Sequence, residues 1–131
     1  MMKNLLPGFL WSVIILILSG VPGNYVPSVF SFLDWISPDK LVHIIMYSVL
    51  VFAFLRGFRK QDSNSELSKK TIYIVISISI VFGGITEVLQ NIVFIRRNGN
   101  VYDFLADIVG CAIGLIVYLL YQRKKNREIR V

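Results

Sequence analysis

Apolar residues in this chain gather into four long runs, separated by polar or proline-rich stretches. The first covers about residues 5–20 and includes WSVIILILSG. The second covers about 40–58, centred on LVHIIMYSVLVFAFL, the third about 71–95, and the fourth about 103–121. A helix crossing the hydrocarbon of a bilayer needs roughly 20 mainly apolar residues, and these runs are of that order. The third is rich in Ile and Val, which in water would favour a strand. It is too long for an ordinary strand, so the pattern predicts a spanning helix here as well.

The intervening stretches read as connections. Residues 21–38 hold Pro22, Pro27 and Pro38 after Gly20, with Phe30, Phe32 and Trp35 available to sit at the bilayer surface. RKQDSNSELSKK has no apolar periodicity, and Asn98-Gly99-Asn100 marks a turn. Pro7 is expected in the first turn of the first helix, where its missing N–H is tolerated. A signal peptide competes with the first helix because Lys3 precedes the run. Val21-Pro22-Gly23 is a poor cleavage site, however, and more apolar runs follow, which favours a retained helix.

Composition sharpens this picture. The 131 residues are 55% hydrophobic and 17% charged, and mean hydropathy is +0.65. The expectation is one all-α integral membrane domain over residues 1–131, with a basic tail at 122–131. A net charge of +6 could suggest nucleic acid, but the basic residues lie in short runs beside apolar segments. That placement fits an anionic membrane surface and leaves no nucleic-acid partner expected. The lone Cys111 has no partner for a disulfide or a cysteine-rich zinc cage and reads as a small packing residue.

The basic residues also predict orientation. If four helices alternate, Lys3, Arg56, Arg59, Lys60, Lys69, Lys70, Arg123, Lys124, Lys125, Arg127 and Arg130 share one side, eleven of the 14. Lys40, Arg96 and Arg97 fall on the other. The positive-inside rule then puts both termini in the cytoplasm.

Against this background the ionisable residues inside the runs stand out, since each costs on the order of 2.5–3.5 kcal/mol at mid-depth. Asp39, His43 and Tyr47 are spaced i, i+4, i+8 and share one helix face. Glu87, Gln90 and Asn91 form a second face, and Asp103 and Asp107 a third that continues through Gly110 and Gly114. Under the inferred topology all three faces lie toward the outer ends of their helices, with Arg96 and Arg97 in the turn above them. The expectation is one polar chamber opening outward, in which Arg97 pairs with Glu87 or Asp107. Two readings stand for these residues. As a ligand site, Asp39, Lys40, His43, Tyr47, Glu87, Gln90, Arg97, Asp103 and Asp107 surround a polar group. As helix glue, the same polar side chains hold the bundle together, and Gly110-x-x-x-Gly114 permits close packing.

Three blocks carry a resemblance. D-K-x-x-H-x-x-x-Y corresponds to Asp39, Lys40, His43 and Tyr47, and E-x-x-Q to Glu87 and Gln90. An arginine six residues before D-x-x-A-D-x-x-G-x-x-x-G corresponds to Arg97, Asp103, Ala106, Asp107, Gly110 and Gly114. In this order the blocks resemble the VanZ-like family of small bacterial membrane proteins, over residues 39–114. The chain departs from that pattern at Val88-Leu89 and at Ile95-Arg96. The resemblance implies a multi-pass protein of the bacterial cytoplasmic membrane, and a link to the cell envelope through the family's association with teicoplanin resistance.

The function expected from these readings is binding or modification of a lipid-linked or amphipathic envelope molecule. Arg97 suits an anionic group through its bidentate fork. The alternative is a structural or regulatory subunit of a membrane complex, as a homo-oligomer or with a partner membrane protein. If there is catalysis, Glu87, Asp107 and His43 are the acid–base candidates. No metal or other cofactor is expected, because the spacing of His43, Glu87, Asp103 and Asp107 matches no known ligand motif. Transport is disfavoured by the lack of an internal repeat.

Overall fold

A computed structural model describes residues 2–21, 38–62, 66–93 and 101–130. Four α-helices make up the described chain: α1 (Met2–Ser19), α2 (Pro38–Gln61), α3 (Lys69–Ile92) and α4 (Val101–Arg130). All four are long and apolar enough to cross a membrane. The multi-pass, all-helical expectation is met to that extent.

Helix ends differ from the expected ones for local reasons. α1 begins earlier than expected, so Pro7 lies inside the helix rather than in its first turn. The carbonyl denied a partner there is that of Lys3, at the exposed end of the helix. α3 starts at Lys69 because Ser68 caps it, its hydroxyl accepting from the Thr71 amide at 3.1 Å. It stops at Ile92, short of the expected Ile95, with Val93 as its C-cap. The basic tail is not a separate segment. α4 runs on to Arg130 because QRKKNREIR consists mostly of good helix formers and contains no Gly or Pro.

α2 is the centre of the bundle. It packs most extensively on α4, then on α1, while α3 lies against both α2 and α4. The α2–α4 seam is tight because α4 presents glycine. A Cβ on Gly110 would lie 2.6 Å from the Ile44 carbonyl oxygen, and one on Gly114 2.5 Å from that of Ser48. Backbone approaches backbone here, as the small-x-x-x-small pattern predicts. Ser48 Oγ sits 2.7 Å from the Ile44 carbonyl and 2.9 Å from the Gly110 carbonyl, sharing its one proton across the seam.

Apolar and polar side chains are distributed as lipid solvation requires. Phe9, Val13 and Ile17 of α1, Ile45 and Val49 of α2, Ile74, Ile78 and Ile85 of α3, and Ile116 and Leu120 of α4 are exposed. In water such a surface would be a severe aggregation liability. It is the surface that a lipid surround would allow. The buried interior holds Ile15, Met46, Tyr47, Leu50, Val51, Leu55, Val75, Cys111 and Tyr118.

Candidate functional site

The buried polar residues concentrate at one end of the bundle, where α2 and α4 begin and α1 and α3 finish. His43, Glu87 and Asp107 each lie five or six residues inside their helix ends. At about 1.5 Å per residue, all three sit roughly 8–9 Å deep. Asp39 and Asp103 occupy the first turns of α2 and α4, where the helix N-terminus favours a carboxylate.

At the centre, His43 Nδ1 is 2.8 Å from Asp107 Oδ1 and 3.7 Å from Glu87 Oε1. Three helices therefore converge on one imidazole. His43 is 1% exposed and Asp107 0%, while Glu87 and Asp103 are each 7% exposed. The described residues of the site form a buried cluster of charged and polar groups. With Asp107 ionised, Nδ1 carries the proton and donates it to the carboxylate. The other ring nitrogen, Nε2, is buried and has no hydrogen-bond partner, and the same is true of Asp107 Oδ2.

One layer deeper, the polar groups serve the bundle. Thr86 Oγ1 donates to the Gly83 carbonyl at 2.8 Å, so the proton in its 2.9 Å contact with Tyr47 must come from the tyrosine hydroxyl. Tyr47 is fully buried and its hydroxyl is committed to that contact. Gln90 Nε2 donates to the Ser19 carbonyl at 3.4 Å and ties α3 to the end of α1. Trp11 Nε1 donates to the Met46 carbonyl at 2.8 Å. Gly110 and Gly114 do the close packing expected of them.

Of the predicted site residues, the structure brings Asp39, His43, Glu87, Asp103 and Asp107 together. Lys40 lies beside them, its ammonium 5.6 Å from the Tyr102 ring centroid. Tyr47 and Gln90 are drawn into helix-to-helix hydrogen bonds. Asn91, placed by its spacing on the Glu87 face, is instead exposed. Arg97, and the Arg97–Glu87 or Arg97–Asp107 pair expected with it, lie outside the described residues.

Thr86, Ser48, Trp11 and Gly83 were not anticipated as part of this network. A Cβ on Gly83 would come within 3.0 Å of Asp107 Oδ2, so glycine there lets α3 approach the carboxylate. The signal for Thr86 is its i−4 spacing from Gln90, which puts it on the polar face of the third helix. A cavity of about 260 Å³ lies at the opposite end, lined among others by Leu67, Ile72, Tyr118 and Gln122. It holds none of the predicted site residues.

The chain is similar to the uncharacterized protein C11E3.10 of the fission yeast Schizosaccharomyces pombe, at 24% identity over 94 residues. That similarity takes in 71% of this chain but only 54% of the yeast protein. No family profile matches the chain. No solved structure matches it either.

These findings overturn the resemblance to the VanZ-like family and the placement in a bacterial cytoplasmic membrane. The relative is eukaryotic, and the family has no match to support it. The expectations of a cell-envelope role and teicoplanin resistance came with that resemblance and lose its support. The physical reason is that the three blocks are short. Carboxylates, histidine and glycine at i, i+3 and i+4 spacing are what any helical bundle with one buried polar end would show.

Proposed function

We propose that this chain is a multi-pass membrane protein whose polar bundle end binds, or acts on, the polar part of a lipid-linked or amphipathic molecule. The observation that carries this reading is the His43–Asp107–Glu87 cluster, buried at one depth within three spanning helices. Ionisable groups so placed are costly in a membrane and are retained where they serve a ligand or a proton. The exposed apolar faces of the helices offer a lipid tail a surface beside the cluster, and Asp39 and Lys40 are only half-buried at its margin. Arg97 is the anion-binding candidate supplied by the sequence. His43 is the acid–base candidate, because Asp107 holds its Nδ1 and leaves Nε2 without a hydrogen-bond partner.

Orientation is part of the proposal. The excess of basic residues at the end of the bundle where α2 and α3 are joined, and along the tail of α4, supports a topology with both termini on the cytoplasmic side and the polar cluster toward the opposite face.

The test is to purify wild type, Asp107→Asn and Glu87→Gln at matched abundance and identify the lipids retained by each by mass spectrometry. One amphiphile enriched in wild type and lost from both variants, with helical content unchanged, is the expected result. Identical lipid profiles in all three would remove the binding reading.

A second reading rests on the hydrogen bonds Tyr47–Thr86 and Ser48–Gly110, which join helices without any ligand. In it the polar end only assembles the bundle, or docks it into a larger membrane complex. Variant abundance would then fall in step with any phenotype.

A further inference from the structure

Four carboxylates, those of Asp39, Glu87, Asp103 and Asp107, meet at the polar end of the bundle. Three of the four are buried. Ionisable groups buried within a membrane-spanning bundle mark ligand, ion or proton sites.

His43 belongs to two trios in this cluster. With Glu87 and Asp107, and equally with Asp39 and Asp103, one ring nitrogen and two carboxylate oxygens all lie within 4.8 Å of one another. The two trios are not chemically equivalent. With Asp107 ionised, Nδ1 carries the proton of that hydrogen bond and has no lone pair to offer a metal while the bond stands. Nε2 does have one, and it is buried, unpartnered and on the side of the ring away from the Asp107 bond. A histidine whose far N–H is held by a carboxylate is the usual form of a metal-binding imidazole, because that bond fixes the tautomer and raises ligand basicity.

We propose that His43 Nε2, Asp39 and Asp103 bind one divalent first-row cation of the Mn²⁺ or Zn²⁺ type, with Asp107 as the group that positions His43. The inference rests on the reading of this polar end as a ligand site and names what the site holds first. One imidazole and two carboxylates form a donor set suited to these ions. Metal–ligand bonds of about 2.0–2.2 Å put neighbouring donors roughly 3–3.5 Å apart, within reach of small side-chain adjustments from a 4.8 Å cluster. Three protein donors leave coordination positions open, where an oxygen of the amphiphile's polar group would bind. Asp39 and Asp103 stand in the first turns of their helices, which gives an ion a short path from the aqueous side.

To test this, the purified full chain in detergent is equilibrated with Mn²⁺ or Zn²⁺ alone, freed of excess ion, and its metal content measured. Co²⁺ serves as an optical probe of coordination. Wild type should retain a single ion per chain. His43→Gln and Asp103→Asn should lose at least tenfold in affinity, and Asp107→Asn roughly 10- to 100-fold, as for other carboxylates that orient a metal-bound histidine. Glu87→Gln should keep the ion within a few-fold. Because His43→Gln could unfold, Asp39→Asn, at a half-buried first-turn position, provides the independent loss variant, and circular dichroism checks each fold.

A folded wild type with no stoichiometric ion overturns the proposal. So does an ion lost from Glu87→Gln and kept by Asp103→Asn, which would put it in the other trio. Lipid retention measured on the same samples, with and without chelator, separates the two claims. An amphiphile bound without metal removes only the ion, and an ion bound without amphiphile removes only the lipid reading.

Discussion

His43 Nδ1 and Asp107 Oδ1 stand 2.8 Å apart across the α2–α4 seam, both almost wholly out of solvent. The seam that forms this bond is the one made close by Gly110 and Gly114, so the packing of two helices and the orientation of one imidazole share a cause. Removing either partner strands the other. Asp107→Ala should destabilise by about 3–5 kcal/mol, the usual cost of breaking a buried charged pair. Asp107→Asn keeps an acceptor oxygen and should cost only about 1–2 kcal/mol. In a double-mutant cycle, His43→Ala with Asp107→Ala should show a coupling of about 1–3 kcal/mol. Reversible unfolding in mixed micelles measures all three, and strict additivity would show the bond to be energetically idle.

The seam itself makes a sharper prediction. Gly114→Ala places a methyl 2.5 Å from the Ser48 carbonyl, which backbone cannot yield cheaply. Overpacking of this kind costs about 1–3 kcal/mol. Gly84→Ala is the matched control, since its nearest neighbour would be Phe104 Cε2 at 3.6 Å. There alanine should be neutral, or stabilising by up to about 1 kcal/mol through helix propensity. Equal effects at the two glycines in a thermal unfolding assay would contradict the close approach of α2 and α4.

Much of this arrangement was legible in the sequence, and the part that was not has a common reason. Four helices followed from run length and apolarity, and the shared face of Asp39, His43 and Tyr47 followed from spacing. The pairing of His43 with Asp107 needed the register of α2 on α4, which no periodicity encodes. Ser48, Thr86 and Trp11 were hidden for the same reason, since each meets a partner on another helix that only packing brings near. Asn91 was misplaced because i+4 from Glu87 still leaves a rotation of about 40° around the helix, enough to reach the exposed side. The family resemblance failed differently. Its blocks were satisfied by polar residues at helical spacing, a constraint that a buried polar end imposes regardless of ancestry.

Tyr47 and Thr86 should respond unequally to loss of their hydrogen bond. Tyr47→Phe removes a donor and leaves Thr86 still bonded to the Gly83 carbonyl, so the cost should be about 1 kcal/mol. Thr86→Val leaves the tyrosine hydroxyl buried without its acceptor, at about 1–3 kcal/mol. The order of unfolding midpoints, with Thr86→Val the lower, is the measurement. The reverse order would mean that the proton in this bond belongs to the threonine.

The orientation proposal can be read with a thiol probe, because the native cysteine will not interfere. Cys111 is 1% exposed in the interior of the bundle, so an impermeant maleimide should leave wild type unlabelled in a folded membrane preparation. Asn126 lies five residues beyond Tyr121, among Arg123, Lys124, Lys125 and Arg127, on the part of α4 that continues past the apolar run. Asn126→Cys should label only after the membrane is permeabilised, as the basic tail is drawn to the cytoplasmic face. Replacing Arg123, Lys124, Lys125 and Arg127 together by Gln leaves seven basic residues at that end against three at the other, so the bias should weaken without inverting. A mixed population, with Asn126→Cys partly labelled in intact cells, is then the expected outcome. Full labelling of the unaltered tail in intact cells would reverse the topology and put the His43 cluster on the cytoplasmic side.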